Sequence, residues 1–203
     1  MCYIHTICVL NEKAEKSMRI IGGQNRGTKL YVLDSIETRP TLDRVKEAMF
    51  SKINFNLQDS IILDLFSGSG AIGLEALSRG AKKAYLCDNS FKAIRIIEKN
   101  IEKTKLSGKA IVISDDYLKA LENLRNQNIK FDIIFLDPPY KTDYNIKAIN
   151  LILKYNLLDE NGQMIIETDI PEKTLEELKS FSVNIYDIKR YGRVTLIFAN
   201  RKG

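Results

Sequence analysis

Ile61-Ile62-Leu63-Asp64-Leu65-Phe66-Ser67-Gly68-Ser69-Gly70-Ala71-Ile72-Gly73 runs from an apolar, β-rich segment through a glycine bend into a helical pattern. Strand, tight loop and helix in that order open an α/β unit whose ligand crevice lies beyond the carboxyl ends of its strands. Gly68 and Gly70 lack a Cβ, so a ligand can approach the backbone there where a side chain would collide. A plain tight turn is the simpler reading of the same glycines. Gly68-x-Gly70-x-x-Gly73 also fits the dinucleotide fingerprint by letter, which alone is a weak signal.

Downstream of this stretch the pattern alternates. Short apolar runs at Ile61–Leu65, Ala84–Cys87, Ala110–Ile113, Phe131–Leu136 and Gln163–Glu167 are separated by helix-like segments at 71–79, 90–104, 117–127, 144–155 and 172–180. Continuous apolar strands spaced by helices predict parallel strands buried on both faces, hence a doubly wound, Rossmann-like α/β sheet. The tail, Ser182–Lys189 and Arg193–Asn200 around Tyr191-Gly192, predicts a closing antiparallel hairpin. Upstream, residues 18–58 read as a small hairpin and helix extension preceding the core at 59–203. That helix spans Thr41 to about Ile53, with Thr41 a fair N-cap. Residues 1–17 read as a flexible extension, with the working domain opening at Met18.

Composition narrows the class. With 203 residues, 44% of them apolar, the chain can bury a core without staples. No apolar run approaches the ~18 residues of a membrane span, and the first residues lack the charged start and cleavage site of a secretory signal. One histidine and Cys2, Cys8 and Cys87, without a C-x-x-C, predict neither a metal site nor a disulfide framework. Free thiols point to a reducing cytoplasm. The net charge of +5 suits a polyanionic partner, although many basic proteins have none.

Two acids sort the nucleotide ligands. Asp88, at the end of the second strand, is placed to accept from both hydroxyls of a ribose, which NAD and S-adenosylmethionine share. Asp64 discriminates. A dinucleotide would bring its pyrophosphate beside that carboxylate, a repulsion of about 4 kcal/mol at an effective dielectric near 20. S-adenosylmethionine brings an ammonium and a sulfonium instead, and the same aspartate attracts them. Capping of the following turn is the alternative role for Asp64. Of Asp115 and Asp116, which close the third strand, one (better Asp116) can accept from the adenine amine, or else cap the next helix. Cys87 reads as apolar filling.

The fourth strand runs into Asp137-Pro138-Pro139-Tyr140, which the crevice rule places beside the glycine loop. Two prolines fix φ and remove two amide donors, so the turn presents a carboxylate and carbonyl acceptors next to a tyrosine ring. That surface suits an amino group on a flat heteroaromatic ring. Such an amine is a poor nucleophile because its lone pair is delocalised. Acceptors from Asp137 and the Pro138 carbonyl would hold its hydrogens out of conjugation while Tyr140 stacks on the base. A sulfonium methyl is already activated, so in-line alignment supplies much of the rate. A rigid turn without chemistry is the bland reading.

With these motifs in place, the chain resembles class I S-adenosylmethionine-dependent methyltransferases, and specifically the RsmD family, which methylates the N2 amine of a guanine in 16S ribosomal RNA. The resemblance runs from about Met18 to Asn200. It is carried by Met18–Gly23, the block Thr38-Arg39-Pro40-Thr41-Leu42-Asp43-Arg44 continuing to Phe50, the long loop from Asp64 to Ala81, Asp137–Tyr140, and Arg190-Tyr191-Gly192. It implies S-adenosylmethionine as cofactor, held by Asp64, Ser67, Gly68, Gly70, Asp88 and the Asp115-Asp116 pair, with the adjoining Phe66 and Asn89. It implies catalytic contacts from Asp137, Pro138, Pro139 and Tyr140. The second-strand acid is commonly Glu in the family and is Asp88 here; Ser51 stands where an asparagine often follows the helix aromatic. Residues 1–17 have no counterpart.

The implied partner is 16S rRNA or the assembling 30S subunit, met by a monomer. Arg26, Lys29, Arg39, Arg44 and Lys46, ahead of the cofactor loop, are the candidate phosphate contacts, giving salt-dependent, sequence-blind affinity. A solvated charged surface is the alternative for each. Adenine-N6 methylation of DNA or RNA is the competing chemistry, since the same turn can hold either amine, and a non-catalytic RNA-binding protein is the competing class.

Overall fold

A computed structural model describes residues 18–33, 40–53, 56–139 and 142–202, without the side chains of residues 40–42. The predicted alternation is realised as one seven-stranded sheet in the order β5-β4-β3-β6-β7-β9-β8. Its strands are β3 Ile61–Asp64, β4 Lys83–Asp88, β5 Ala110–Ser114, β6 Phe131–Leu136, β7 Leu158–Thr168, β8 Val183–Tyr191 and β9 Val194–Arg201. Pairings β5-β4-β3-β6-β7 are parallel, whereas β9 runs antiparallel to both β7 and β8. The tail hairpin therefore closes the sheet as expected. The strand order reverses between β3 and β6, which opens the crevice at their carboxyl ends.

Both faces are covered, which is why the strands read as unbroken apolar runs. On one face, α2 Ala71–Ser78 and α3 Phe91–Thr104 bury Leu74, Leu77, Ile94 and Ile97 against Ile62, Leu86 and Ile133. On the other, α4 Tyr117–Asn126 and α5 Tyr144–Lys154 bury Leu121, Leu124, Ile149 and Ile152 against Leu63, Ile134 and Met164. The remaining helix, α6 Pro171–Leu178, follows β7. Strand β7 is longer than the Gln163–Glu167 run predicted. Leu158 pairs with Phe131 but Gln163 pairs with Ile133, so residues 159–162 bulge out of the ladder. Asp159-Glu160-Asn161-Gly162 reads as a loop because it is polar and pairs with nothing on β6.

The N-terminal part is a two-stranded hairpin, β1 Met18–Arg19 with β2 Lys29–Leu30, followed by α1 Pro40–Ile53. The helix begins at Pro40, so Thr41 stands inside its first turn and not at the N-cap position expected for it. Residues 1–17 also lie outside the described residues.

A buried charge joins the hairpin to the core. Glu75 of α2 is fully buried and takes five hydrogen bonds, from the amides of Ile21 and Gly22, from Lys46 Nζ at 3.0 Å, and from Arg79 Nε and Nη2 at 3.0 and 2.7 Å. Lys46 is itself buried, and its ammonium also donates to the Arg19 carbonyl at 2.8 Å. This corrects the placement of Lys46 among the RNA contacts: its charge faces α2, is neutralised there, and is out of reach of a phosphate. Removing one partner of a buried pair leaves the other charge uncompensated, at a cost of 3–5 kcal/mol as a rough range. Arg79 still serves Glu75, so Lys46→Met is expected near the lower end, about 3 kcal/mol, read as a fall in the urea midpoint.

Candidate active site

Strands β3 and β6 are neighbours in parallel register, with Asp64 opposite Phe135, and the Leu65 amide donates to the Phe135 carbonyl at 3.2 Å. The glycine loop and the proline turn thus leave the same end of the sheet side by side. Gly68 and Gly70 adopt φ of +54° and +76°, in the left-handed region that disfavours side chains. Open space lies where a Cβ of Gly68 would point, so the backbone is bare on the ligand side. Gly73 serves another purpose: a Cβ there would meet Leu86 Cδ2 at 2.1 Å, so its absence lets α2 lie close on β4. The loop is held by Ser67, whose amide donates to the Cys87 carbonyl at 2.8 Å and whose hydroxyl donates to the Asp64 carbonyl at 2.7 Å.

The acids are arranged around this loop. Asp64 is 3% exposed, and its Oδ2 accepts from the Gly73 amide at 3.1 Å. Burial pushes its carboxyl up to about 7, assisted by the charge of Asp88 and opposed chiefly by the hydrogen bond from Gly73. Asp88, half-buried at the tip of β4, accepts from the Gly68 amide at 2.9 Å and the Ser90 amide at 2.8 Å, so both its oxygens are oriented by the fold. Asn89, beside it, is exposed. Asp115 is half-buried at the end of β5. Asp116 is the N-cap of α4, accepting from the Leu118 amide at 2.9 Å, which is the alternative role named for it; Asp115 becomes the better candidate of the two for a base amine. Cys87 is 1% exposed and its thiol is pushed up to about 12 by burial and the surrounding aspartates, which fits inert filling.

Phe66 packs among protein rings, 5.5 Å from Tyr117 and stacked on Tyr144 at 6.3 Å. Pro138 is buried, Pro139 exposed, and the Pro139 carbonyl accepts from the Thr142 hydroxyl at 2.8 Å. Asp137 is exposed to solvent at the mouth of the proline turn, although protein crowds its carboxyl. That crowding, then the charges of Glu167 and Asp64 and a hydrogen bond to Glu167, raise its carboxyl well above the usual range. Solvent contact tempers the size of the rise without changing its sign. Tyr140 and Arg39 lie outside the described residues. Arg26, Lys29 and Arg44 are exposed, as a phosphate contact requires.

Glu167 is the functional candidate that sequence reading missed. It ends the apolar run Met164-Ile165-Ile166 on the strand next to β6. An acid closing a buried strand was the available signal, the same one that singled out Asp64 and Asp88.

No lysine or arginine pairs with Asp64, Asp88 or Asp137 among the described residues. A bare backbone loop, a fixed diol-accepting carboxylate and buried acids with no paired cation, whose protons a bound positive charge would displace, fit a cationic nucleoside and disfavour a pyrophosphate. Sheet order and site together define a class I S-adenosylmethionine-dependent methyltransferase. The model of the family described as Conserved hypothetical protein 95 matches residues 18–200, and the chain belongs to this family, the RsmD family of S-adenosylmethionine-dependent rRNA methyltransferases. It is 40% identical over 157 residues to the ribosomal RNA small subunit methyltransferase D of Haemophilus influenzae, covering 77% of this chain and 81% of that one. It is 36% identical over 160 residues to the Escherichia coli protein of the same name, covering 79% of each. The solved structure of Escherichia coli yhhF superposes with a TM-score of 0.76 at 29% identity, over 92% of this chain and 98% of that one.

Proposed function

We propose that the protein transfers a methyl group from S-adenosylmethionine to the exocyclic N2 amine of a guanine in 16S ribosomal RNA. The observation that carries the reading is the side-by-side exit of the two loops from β3 and β6, with an acid at the base of each. The small-subunit names of the relatives supply the substrate. In this reading Asp88 takes the ribose hydroxyls, Asp115 the adenine amine, and the bare backbone at Gly68 admits the cofactor, while Gly70, turned toward Ile97 and Leu86, shapes the bend. Asp64 supplies the negative charge facing its cationic end. Bound S-adenosylmethionine supplies an electrophilic methyl; the C–S pair leaves with sulfur as the N–C bond forms from the amine lone pair.

Asp137 accepts from the amine, holds the lone pair out of the ring, and is positioned to receive the proton that becomes acidic once nitrogen is methylated. Proline supplies no amide donor to compete. Arg26, Lys29 and Arg44 reach phosphates of an RNA whose target base is splayed out of its stack. The test is incubation with labelled cofactor and unmethylated 16S rRNA or 30S particles, followed by nucleoside analysis. N2-methylguanosine is expected. N6-methyladenosine in its place would transfer the reading to adenine chemistry, and no binding of S-adenosylhomocysteine would leave only an RNA-binding role.

A further inference from the structure

The acid of the proline turn has a partner that the methyl-transfer scheme leaves unused. Register Leu136 opposite Ile166 continues to Asp137 beside Glu167, one strand apart, a spacing of about 4.8 Å between backbones. The two carboxyls hydrogen-bond to each other. Two carboxylates in that contact share a proton, and the shared proton lies between them. What the pair turns outward is therefore acceptor oxygens. The cleft beside it is lined by, among others, Pro138, Pro139, Asn145, Glu167, Ile170 and Lys173, whose ammonium lies 3.8 Å from Glu177. Asn145 adds to this polarity: its Nδ2 donates to the Glu167 carbonyl at 2.9 Å, while its buried Oδ1 has no donor among the described residues.

Nucleobase edges differ in what they offer such a site. Guanine carries its N2 amine next to a ring N1–H, two donors side by side. Adenine carries its N6 amine next to N1, which is an acceptor. An acceptor pair pairs with the first edge and meets the second lone pair to lone pair.

We propose that Glu167 is a specificity-determining residue that accepts the ring N1–H of the target guanine while Asp137 holds the adjacent N2 amine. This rests on the guanine-N2 reading and deepens it. The two acids divide the work: Asp137 touches the reacting nitrogen, and Glu167 reads the neighbouring atom and so rejects adenine.

The test compares wild type, Glu167→Ala and Glu167→Gln, with folding and cofactor affinity checked by melting and by calorimetry with S-adenosylhomocysteine. Once the wild-type product maps the target nucleotide, synthetic RNAs carry either guanine or 2-aminopurine there; 2-aminopurine keeps the amine but lacks N1–H. Wild type is expected to prefer guanine in kcat/KM by roughly 30-fold, as for a good base-edge contact. Glu167→Ala is expected to lose guanine activity by a similar factor and to treat the two RNAs within about threefold of each other. Glu167→Gln, which retains one carbonyl acceptor, is expected to keep part of the preference; it also serves if the alanine variant does not fold. Undiminished preference for guanine in a folded variant overturns the proposal while leaving guanine-N2 chemistry standing. Absence of N2-methylguanosine from the wild-type reaction overturns the parent reading instead, and this one with it.

Discussion

Asp137→Ala is expected to remove turnover, on the order of a thousandfold or more in kcat/KM, while affinity for S-adenosylhomocysteine stays within about tenfold. The asymmetry follows from where the carboxyl sits. It leaves β6 in the proline turn and hydrogen-bonds to Glu167 on the β7 side, away from β4 and β5, where Asp88 and Asp115 lie. Its contact with the amine strengthens as nitrogen rehybridises and loses its proton, so removal falls on the transition state more than on the bound ground state. Asp137→Asn keeps an oxygen acceptor but offers no base, and is expected to retain measurable turnover above alanine. Labelled-methyl transfer gives the rates and calorimetry the affinities. A hundredfold loss of cofactor affinity in the alanine variant would reassign Asp137 to the cofactor pocket.

The parts legible in the sequence were those where local pattern and tertiary role agree. Ile61–Asp64 and Phe131–Leu136 are buried on both faces, so their continuous apolar runs announced central parallel strands. Gly68 and Gly70 announced a backbone conformation that other residues resist. The family match covers the same residues that those motifs picked out, 18–200. The start of β7 lies outside the Gln163–Glu167 run because residues 159–162 bulge and pair with nothing on β6, so no periodicity links Leu158 to the rest of the strand.

Buried charge was the other blind spot. Lys46 looks like any helix lysine, and only its partner 29 residues along the chain, Glu75, shows that it is enclosed. Glu75 itself sits in a helix where seven of eight residues are buried, so no polar face warns of its role. Asp115 and Asp116 were inseparable for a different reason. Choosing the cap needs the backbone geometry at the start of α4, which neighbouring aspartates do not reveal. Glu167 escaped because its meaning depends on the register of β7 against β6.

Asp64 carries the second large effect, and it is a pH effect. Its carboxyl titrates near 7 in the folded protein against 3.8 for an unburied aspartate, chiefly through burial. Below pH 3.8 both states hold the proton and the group contributes nothing. Between 3.8 and 7 the unfolded chain has released it and the folded protein has not, so stability falls as pH rises; above 7 the full penalty, about 4 kcal/mol, is present. Asp64→Asn deletes this dependence. Its Oδ1 can still accept from Gly73, but its Nδ2 is buried where no carboxyl proton was needed at high pH, a cost of about 1–3 kcal/mol. The variant is therefore expected to melt below wild type at pH 4 and above it at pH 8, with the curves crossing between. A cation bound beside Asp64 favours the ionised form, so below pH 7 binding S-adenosylmethionine must expel a proton. Calorimetry at pH 6 in two buffers of different ionisation enthalpy is expected to show a proton released by wild type, and an affinity that weakens as pH falls from 7 toward 5.5. Asp137, whose carboxyl is also raised, feels the charge of Asp64, and the asparagine variant separates the two: whatever release persists there does not come from Asp64. Equal proton release in wild type and variant would mean that the cofactor's charge does not meet Asp64 at all.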